Sequence, residues 1–206
     1  GVDTAAAYAV SQQLWTYIQM PAMAIGVAVS SMAAQNIGAG KWDRVNAITR
    51  SGILYNTAIT LVVILAIILF DRPVMALFVG GDSPAIPIAR HIQLLSSWTF
   101  LAFGATMVLF STVRANGATL APLLILTITL FPIRFGFAML APPLLGTDAL
   151  WLSFPIGSIA STTLAWLYYR YGNWRSAVMH VRPIPGQAEE EALADGEPAG
   201  RLQPNG

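Results

Sequence analysis

Arg134 is the single charged residue between Arg114 and Asp148, in an otherwise apolar stretch of the 206-residue chain. A charge inside a long apolar run is expensive to bury and by default marks a functional position. The plain alternative is a guanidinium that reaches toward the membrane surface or pairs with backbone carbonyls. Pro132 would free such a carbonyl one turn back. Uncharged polar groups cluster twice more: Gln12, Gln13 and Gln19 in the first apolar run, and Gln93, Ser96, Ser97, Trp98 and Thr99 in the third. Such groups avoid lipid and turn toward neighbouring helices or a water-filled cavity. Gln12, Gln19, Gln93, Ser97 and Trp98 are therefore the candidate substrate-lining residues, with helix–helix hydrogen bonding as the plain alternative. Trp98 also stands where an interfacial aromatic anchor is expected. Arg134 and Pro21 are candidates for a structural or gating role.

Little else in the sequence could do chemistry. There is no Cys and there are two His, His91 and His180, in different loops. No pair of histidines or carboxylates has the spacing of a metal site within a span, and no carboxylate pair is placed for acid–base work. Gly38-Ala39-Gly40-Lys41 is not a phosphate loop, because Gln35 stands where the first glycine belongs and Trp42 follows the lysine. It reads as a glycine helix stop and a basic turn. No catalytic residue, metal or bound cofactor is expected, and a net charge of +1 gives no reason to expect nucleic acid.

The elements that must hold these residues follow from composition. Charged residues are 10% and hydrophobic residues 55% of the chain, with a mean hydropathy of +0.61. A soluble fold carries roughly 25% charge. The charges are clumped: 20 uncharged positions separate Arg50 from Asp71, 23 separate Arg90 from Arg114, and 21 separate Asp148 from Arg170. A helix needs about 20 apolar residues to cross the hydrocarbon core. An alternating membrane-barrel pattern is absent. The expected fold is therefore all-α, a polytopic transmembrane bundle over residues 1–182, with spans at about 5–34, 51–70, 91–112, 119–141 and 149–169. The first span exceeds the bilayer thickness, and Pro21 in its middle predicts a kink. Residues 183–206, with Pro183, Pro185, Pro198, Pro204 and the run Glu189-Glu190-Glu191, read as a disordered cytoplasmic tail.

Two stripes of small residues, Ala22, Gly26, Ser30 and Ala34, and Ser153, Gly157, Ser161 and Ala165, offer close helix contacts. One set of loops carries Lys41, Arg44, Arg50, Arg114, Arg170, Arg175 and Arg182, and the other only Arg72 and Arg90. The positive-inside rule puts the first set in the cytoplasm. The amino end then lies outside with no leader before it, so an odd number of spans is expected upstream and the chain is expected to be a truncated piece.

The run Pro21-Ala22-Met23-Ala24-Ile25-Gly26-Val27-Ala28, with Ala33-Ala34-Gln35-Asn36-Ile37-Gly38-Ala39-Gly40-Lys41, resembles the multidrug and toxic compound extrusion family, MATE. So do Pro73-Val74-Met75-Ala76-Leu77-Phe78 followed by Asp82, Arg114-Ala115-Asn116-Gly117-Ala118-Thr119 followed by Pro122, and Ala149-Leu150-Trp151. The resemblance runs from about residue 5 to 175. It implies a twelve-helix transporter of two six-helix lobes, in which these five spans resemble helices 8 to 12. It further implies export of organic, often cationic, compounds in exchange for Na⁺ or H⁺ by alternating access. The expected partners are the lipid bilayer, small organic substrates and the amino-terminal lobe of the same transporter, and the expected place is the cytoplasmic membrane. The family's cation site in this lobe uses acids on helices 7 and 10. The counterpart of helix 10, about 91–112, has no Asp or Glu, so no ion-binding residue is named. The rival expectations are a lipid or polysaccharide flippase of related architecture, and a membrane enzyme or structural subunit whose working residues lie upstream.

Overall fold

The computed structural model describes residues 2–80 and 83–177. Asp82, His180 and the tail expected at 183–206 lie outside the described residues. Helix α1 (Val2–Gly38) and helix α2 (Trp42–Leu69) form an antiparallel pair. Short α3 (Asp71–Val79) leads to α4 (Ala85–Ser96) and α5 (Thr99–Ala115). Then come α6 (Leu120–Ile128), a π-helical turn (Thr129–Phe135) and α7 (Gly136–Leu140), followed by α8 (Pro142–Leu145), α9 (Asp148–Tyr171) and a 3₁₀ turn (Asn173–Ser176). Four helical stretches are long and apolar enough to cross a membrane, and α4 with α5, bent by 45°, makes a fifth. The chain is an all-α polytopic helix bundle.

The helices overrun the uncharged stretches. Trp42, Asp43, Arg44 and Arg50 already belong to α2. Charge marks where hydrocarbon ends, whereas a helix continues into water until its carbonyls are capped. For α1 the cap is a glycine stop. Gly40 takes φ +68°, the Gly40 amide donates to the Ile37 carbonyl at 2.9 Å, and the Lys41 amide donates to Asn36 at 2.8 Å. This is the Schellman pattern, and it needs a residue that tolerates the left-handed region. Helix α1 passes through Pro21 without a break.

The middle of the bundle buries polar side chains, and its outside is apolar. The buried residues of α2 are Val45, Thr49, Gly52, Asn56, Thr60 and Ile64, while Leu54, Tyr55, Val62 and Leu69 of the same helix are more than half exposed. In water this would be inverted. In lipid, apolar side chains gain nothing by turning inward, and close packing and hydrogen bonds hold the helices together. The bonds are present. Asn56 Nδ2 donates to the Ala22 carbonyl of α1 at 3.4 Å, and Thr60 Oγ1 donates to Asn56 Oδ1 at 3.1 Å. Thr49 meets Thr112 of α5 at 2.9 Å, and Thr106 of α5 meets Thr162 of α9 at 2.8 Å. Each such bond contributes roughly 0.6–2 kcal/mol in a membrane.

The small-residue stripes fare differently. On α9, Ala149, Ser153, Gly157, Ser161 and Ala165 are all buried. On α1, Ala22 and Gly26 are buried, but the contact then passes to Val29 and Ala33, and Ala34 is exposed. A strict four-residue repeat drifts around a 3.6-residue helix, so on α1 the interface follows steps of four, three and four. Apolar clusters close both ends: Leu14, Trp15, Ile18, Ile92 and Phe100 at one, and Ala33, Val45, Val113 and Trp174 at the other.

Candidate functional site

A cleft of about 680 Å³ opens between the amino half of α1, the π turn with α7, and the start of α9. Helix α1 contributes Thr4, Ala5 and Tyr8; the π turn contributes Leu130, Phe131, Arg134 and Phe135; α9 contributes Leu150, Trp151, Ser153 and Phe154. The aromatic wall follows from helical spacing. Tyr8 and Trp15 lie two turns apart on α1, and Trp151 and Phe154 lie one turn apart on α9, so each pair shares a face. The Tyr8 ring lies 5.8 Å from Trp151 and 6.0 Å from Trp15, and the Trp15 ring lies 5.2 Å from Phe154.

Arg134 sits in this wall. Its guanidinium lies 3.7 Å over the centre of the Phe154 ring, a cation–π contact that strengthens away from water. Gly157, one turn past Phe154, provides its seat. A Cβ on Gly157 would stand 3.0 Å from Arg134 Cβ, so only a bare backbone lets the side chain lie along α9. The π turn presents Arg134 and contains Pro132, whose missing amide an ordinary helix would have to absorb. π turns inside helices recur at functional positions. The carbonyl freed by Pro132 is not the partner that the sequence led us to expect. Arg134 forms no hydrogen bond to it among the described residues, because its guanidinium is engaged across the gap by α9.

A second chamber of about 350 Å³ lies between α5, α6, the π turn and α9, and Leu130, Arg134 and Phe154 line both spaces. Its wall includes Thr99, Thr106, Thr129, Ser158 and Ser161, with Arg114 from the loop end of α5.

The structure brings some of the predicted residues together elsewhere. Gln93 and Ser97 are buried. Trp15 Nε1 donates to Gln93 Oε1 at 2.5 Å, and Ser97 Oγ donates to the same oxygen at 3.1 Å. Gln19 Nε2 donates to the Trp15 carbonyl at 3.3 Å. Trp15 thus ties α1 to the break between α4 and α5. Gln12 is exposed on α1, Trp98 is 44% exposed at the break, and Pro21 is half-buried within α1. None of these six residues lines the cleft or the chamber just described. Sequence reasoning named Gly157 in a packing stripe and Trp151 in a family motif, but assigned neither of them, nor Tyr8 or Phe154, to a site. Their signal was aromatic spacing of one or two turns and a stripe glycine opposite the lone intramembrane charge. An ion pair and a hydrogen bond link the helices at the end of the bundle nearest the cleft. Arg90 pairs with Asp71, and His91 Nε2 meets Asp148 Oδ1 at 2.9 Å.

Comparison with known proteins bears on this arrangement as a whole. The MatE family profile matches residues 1–140. "Probable multidrug resistance protein YoeA" of Bacillus subtilis is 32% identical over 173 residues, 83% of this chain and 37% of that protein. "Probable multidrug resistance protein YpnP" of the same organism is 32% identical over 80% of this chain and 37% of its own length. "Probable multidrug resistance protein NorM" of Thermotoga maritima is 27% identical over 79% of this chain and 35% of its own length. The chain thus spans little more than a third of these curated relatives. No solved structure matches it. With two thirds of its length inside the family profile, this polytopic membrane chain belongs to the MatE family.

Proposed function

We propose that residues 1–182 form most of one lobe of an exporter of small organic compounds, which works by alternating access and exchanges its cargo for Na⁺ or H⁺. The observation that carries this reading is the cleft walled by Tyr8, Trp151, Phe154 and Arg134. Its size is that of a site for a drug-sized molecule, with apolar and aromatic walls and few polar groups. The printed names of the relatives, which speak of multidrug resistance, support the same cargo class. Discontinuous helices at membrane depth are typical of transporter sites. Here the 45° bend between α4 and α5 and the π turn are two such discontinuities. Gln12 and Gln19, on α1, and Trp98, at the bend, line the transport route in the complete protein, while buried Gln93 and Ser97 hold the bend itself.

In this reading the lobe sits in the cytoplasmic membrane, with its Lys41 and Arg114 loops and its carboxyl end in the cytoplasm. The coupling acid lies outside the helix-10 counterpart. No residue here is assigned a catalytic role. A flippase for polyanionic lipid carriers calls for a cavity with many basic residues, and the cleft has Arg134 alone.

The test is dye accumulation in a pump-deficient bacterial strain expressing the full-length protein that contains this chain. The wild-type protein lowers the steady-state level of exported dyes, and Trp151→Ala and Gln19→Ala each change which dyes are excluded. Accumulation equal to the empty-vector control for every dye, with the protein present in the membrane, overturns the reading.

A further inference from the structure

The chamber beside the cleft has the wrong charge for a cation. Arg114 and Arg134 both line it, and neither Asp nor Glu does. Acids of the described helices sit elsewhere, with Asp71 and Asp148 already paired at the bundle end. Two hydroxyls buried in the chamber wall are also unpaired. Ser161 is 6% exposed, and its Oγ has no hydrogen-bond partner among the described residues. Thr99 Oγ1, in the same wall, is equally without one. Arg134 uses one face of its guanidinium on Phe154. Its N–H donors point outward in the plane of the group, a fork that matches a planar anion. Buried hydroxyls without partners are rare and call for an explanation. A cationic ligand would meet the like charge of Arg134 where lipid and protein screen poorly, and that of exposed Arg114 at the helix end.

We infer that this chamber takes the anionic group of an amphipathic organic anion, a carboxylate or sulfonate, whose aromatic body lies in the cleft across Arg134. The inference rests on the exporter reading and names the substrate class for this lobe. Arg134 carries it because it lines both spaces. Its charge faces the anion, and its neighbours Phe154 and Trp151 face the ring.

The test uses two dyes with the same xanthene body and opposite charge, fluorescein and rhodamine 6G. Their binding to the purified full-length protein is followed by fluorescence anisotropy, and their export is followed in cells. Fluorescein binds the wild-type protein. Arg134→Gln weakens that binding about tenfold, the value of one charge-assisted hydrogen bond, and Arg134→Lys weakens it less. Rhodamine 6G binding is retained by Arg134→Lys and tightened by Arg134→Gln, which removes a like charge, and a single symmetric gel-filtration peak reports that the variants are folded. Competition on the wild-type protein needs no variant: naphthalene-2-sulfonate displaces fluorescein. Equal fluorescein binding by wild type and Arg134→Gln, or binding of rhodamine 6G alone, overturns the inference and leaves the exporter reading standing. Displacement of fluorescein by phosphatidylglycerol but not by naphthalene-2-sulfonate overturns it in favour of a lipid headgroup. Failure of the exporter reading shows separately, as bound dye that is never exported.

Discussion

The contact between Arg134 and Phe154 should be measurable as a coupling energy. Arg134 lies six residues before the end of α7 at Leu140, about 9 Å along the axis at 1.5 Å per residue. A long side chain at that depth could reach toward the membrane surface, but its guanidinium lies instead over Phe154 at 3.7 Å. Placing an arginine well inside a span costs about 2.5–3.5 kcal/mol on insertion scales. A cation–π contact removed from water returns about 2 kcal/mol. Phe154 therefore offsets more than half of the cost of the charge. Phe154→Leu keeps an apolar side chain of similar reach and loses under about 1.5 kcal/mol of packing. With Arg134 present it should lose about 2 kcal/mol more, because the charge then stands without its ring.

The cycle compares wild type, Arg134→Met, Phe154→Leu and the double variant by reversible unfolding of the purified full-length protein in mixed micelles. Phe154→Leu is expected to be the least stable of the four. Arg134→Met should equal or slightly exceed wild type, since it removes both the charge cost and the contact. The coupling should come to about 1–2 kcal/mol, above the 0.3–0.5 kcal/mol scatter of independent sites. A coupling inside that scatter would mean that the guanidinium is solvated and the ring a bystander, and the reasoning about the cleft wall would fall with it.

Gly157→Ala should push Arg134 off α9, since the new methyl would stand 3.0 Å from Arg134 Cβ. The expected result is a loss of roughly 1–3 kcal/mol by overpacking, and pairing it with Arg134→Gly, which removes the Cβ that the methyl meets, should recover part of it in the same unfolding assay. The Trp15, Gln93 and Ser97 cluster predicts an asymmetry. Gln93→Met strands the Trp15 N–H and the Ser97 hydroxyl in the core, at about 1–3 kcal/mol. Adding Trp15→Phe removes the stranded donor, so the double variant should be no less stable than Gln93→Met alone. Additive losses would show that the Trp15 bond contributes nothing.

The number and sequence positions of the spans were legible because lipid excludes charge, and charges are easily seen in a sequence. Helix ends were less so. Asp43, Arg44 and Arg50 belong to a helix that has left the hydrocarbon, and hydropathy is silent about backbone hydrogen bonds in water. The break between α4 and α5 carries neither Gly nor Pro. It is held by contacts with α1 that lie 78 residues away in sequence, as in the bond from Trp15 to Gln93. No local pattern announces such a contact. The same inversion of inside and outside explains the fate of the polar candidates. A glutamine in a span reads as facing a cavity, yet in a bundle without an internal hydrophobic drive the tightest packed interior is itself a polar place. Gln93 and Ser97 are consumed there as helix-to-helix bonds.

What the sequence did hold, though in two separate pieces, was the seat of Arg134. The charge stands out at once, and the α9 stripe of small residues stands out as a packing face. Neither alone places the other. A four-residue stripe that stays buried along its whole length, as Ser153, Gly157, Ser161 and Ala165 do, must meet a partner that crosses it closely. The partners are α5 and the π turn. Where that turn crosses α9, the stripe offers its one glycine, and the side chain opposite is the one intramembrane arginine. The next small residue along, Ser161, lines the chamber that Arg134 also lines, with its hydroxyl buried in the wall. Close packing and charge placement thus meet in one residue, Gly157. A substitution there should disturb stability and ligand preference together, whereas a still tighter glycine far from Arg134, such as Gly52 against Val29 and Val108, should disturb stability alone.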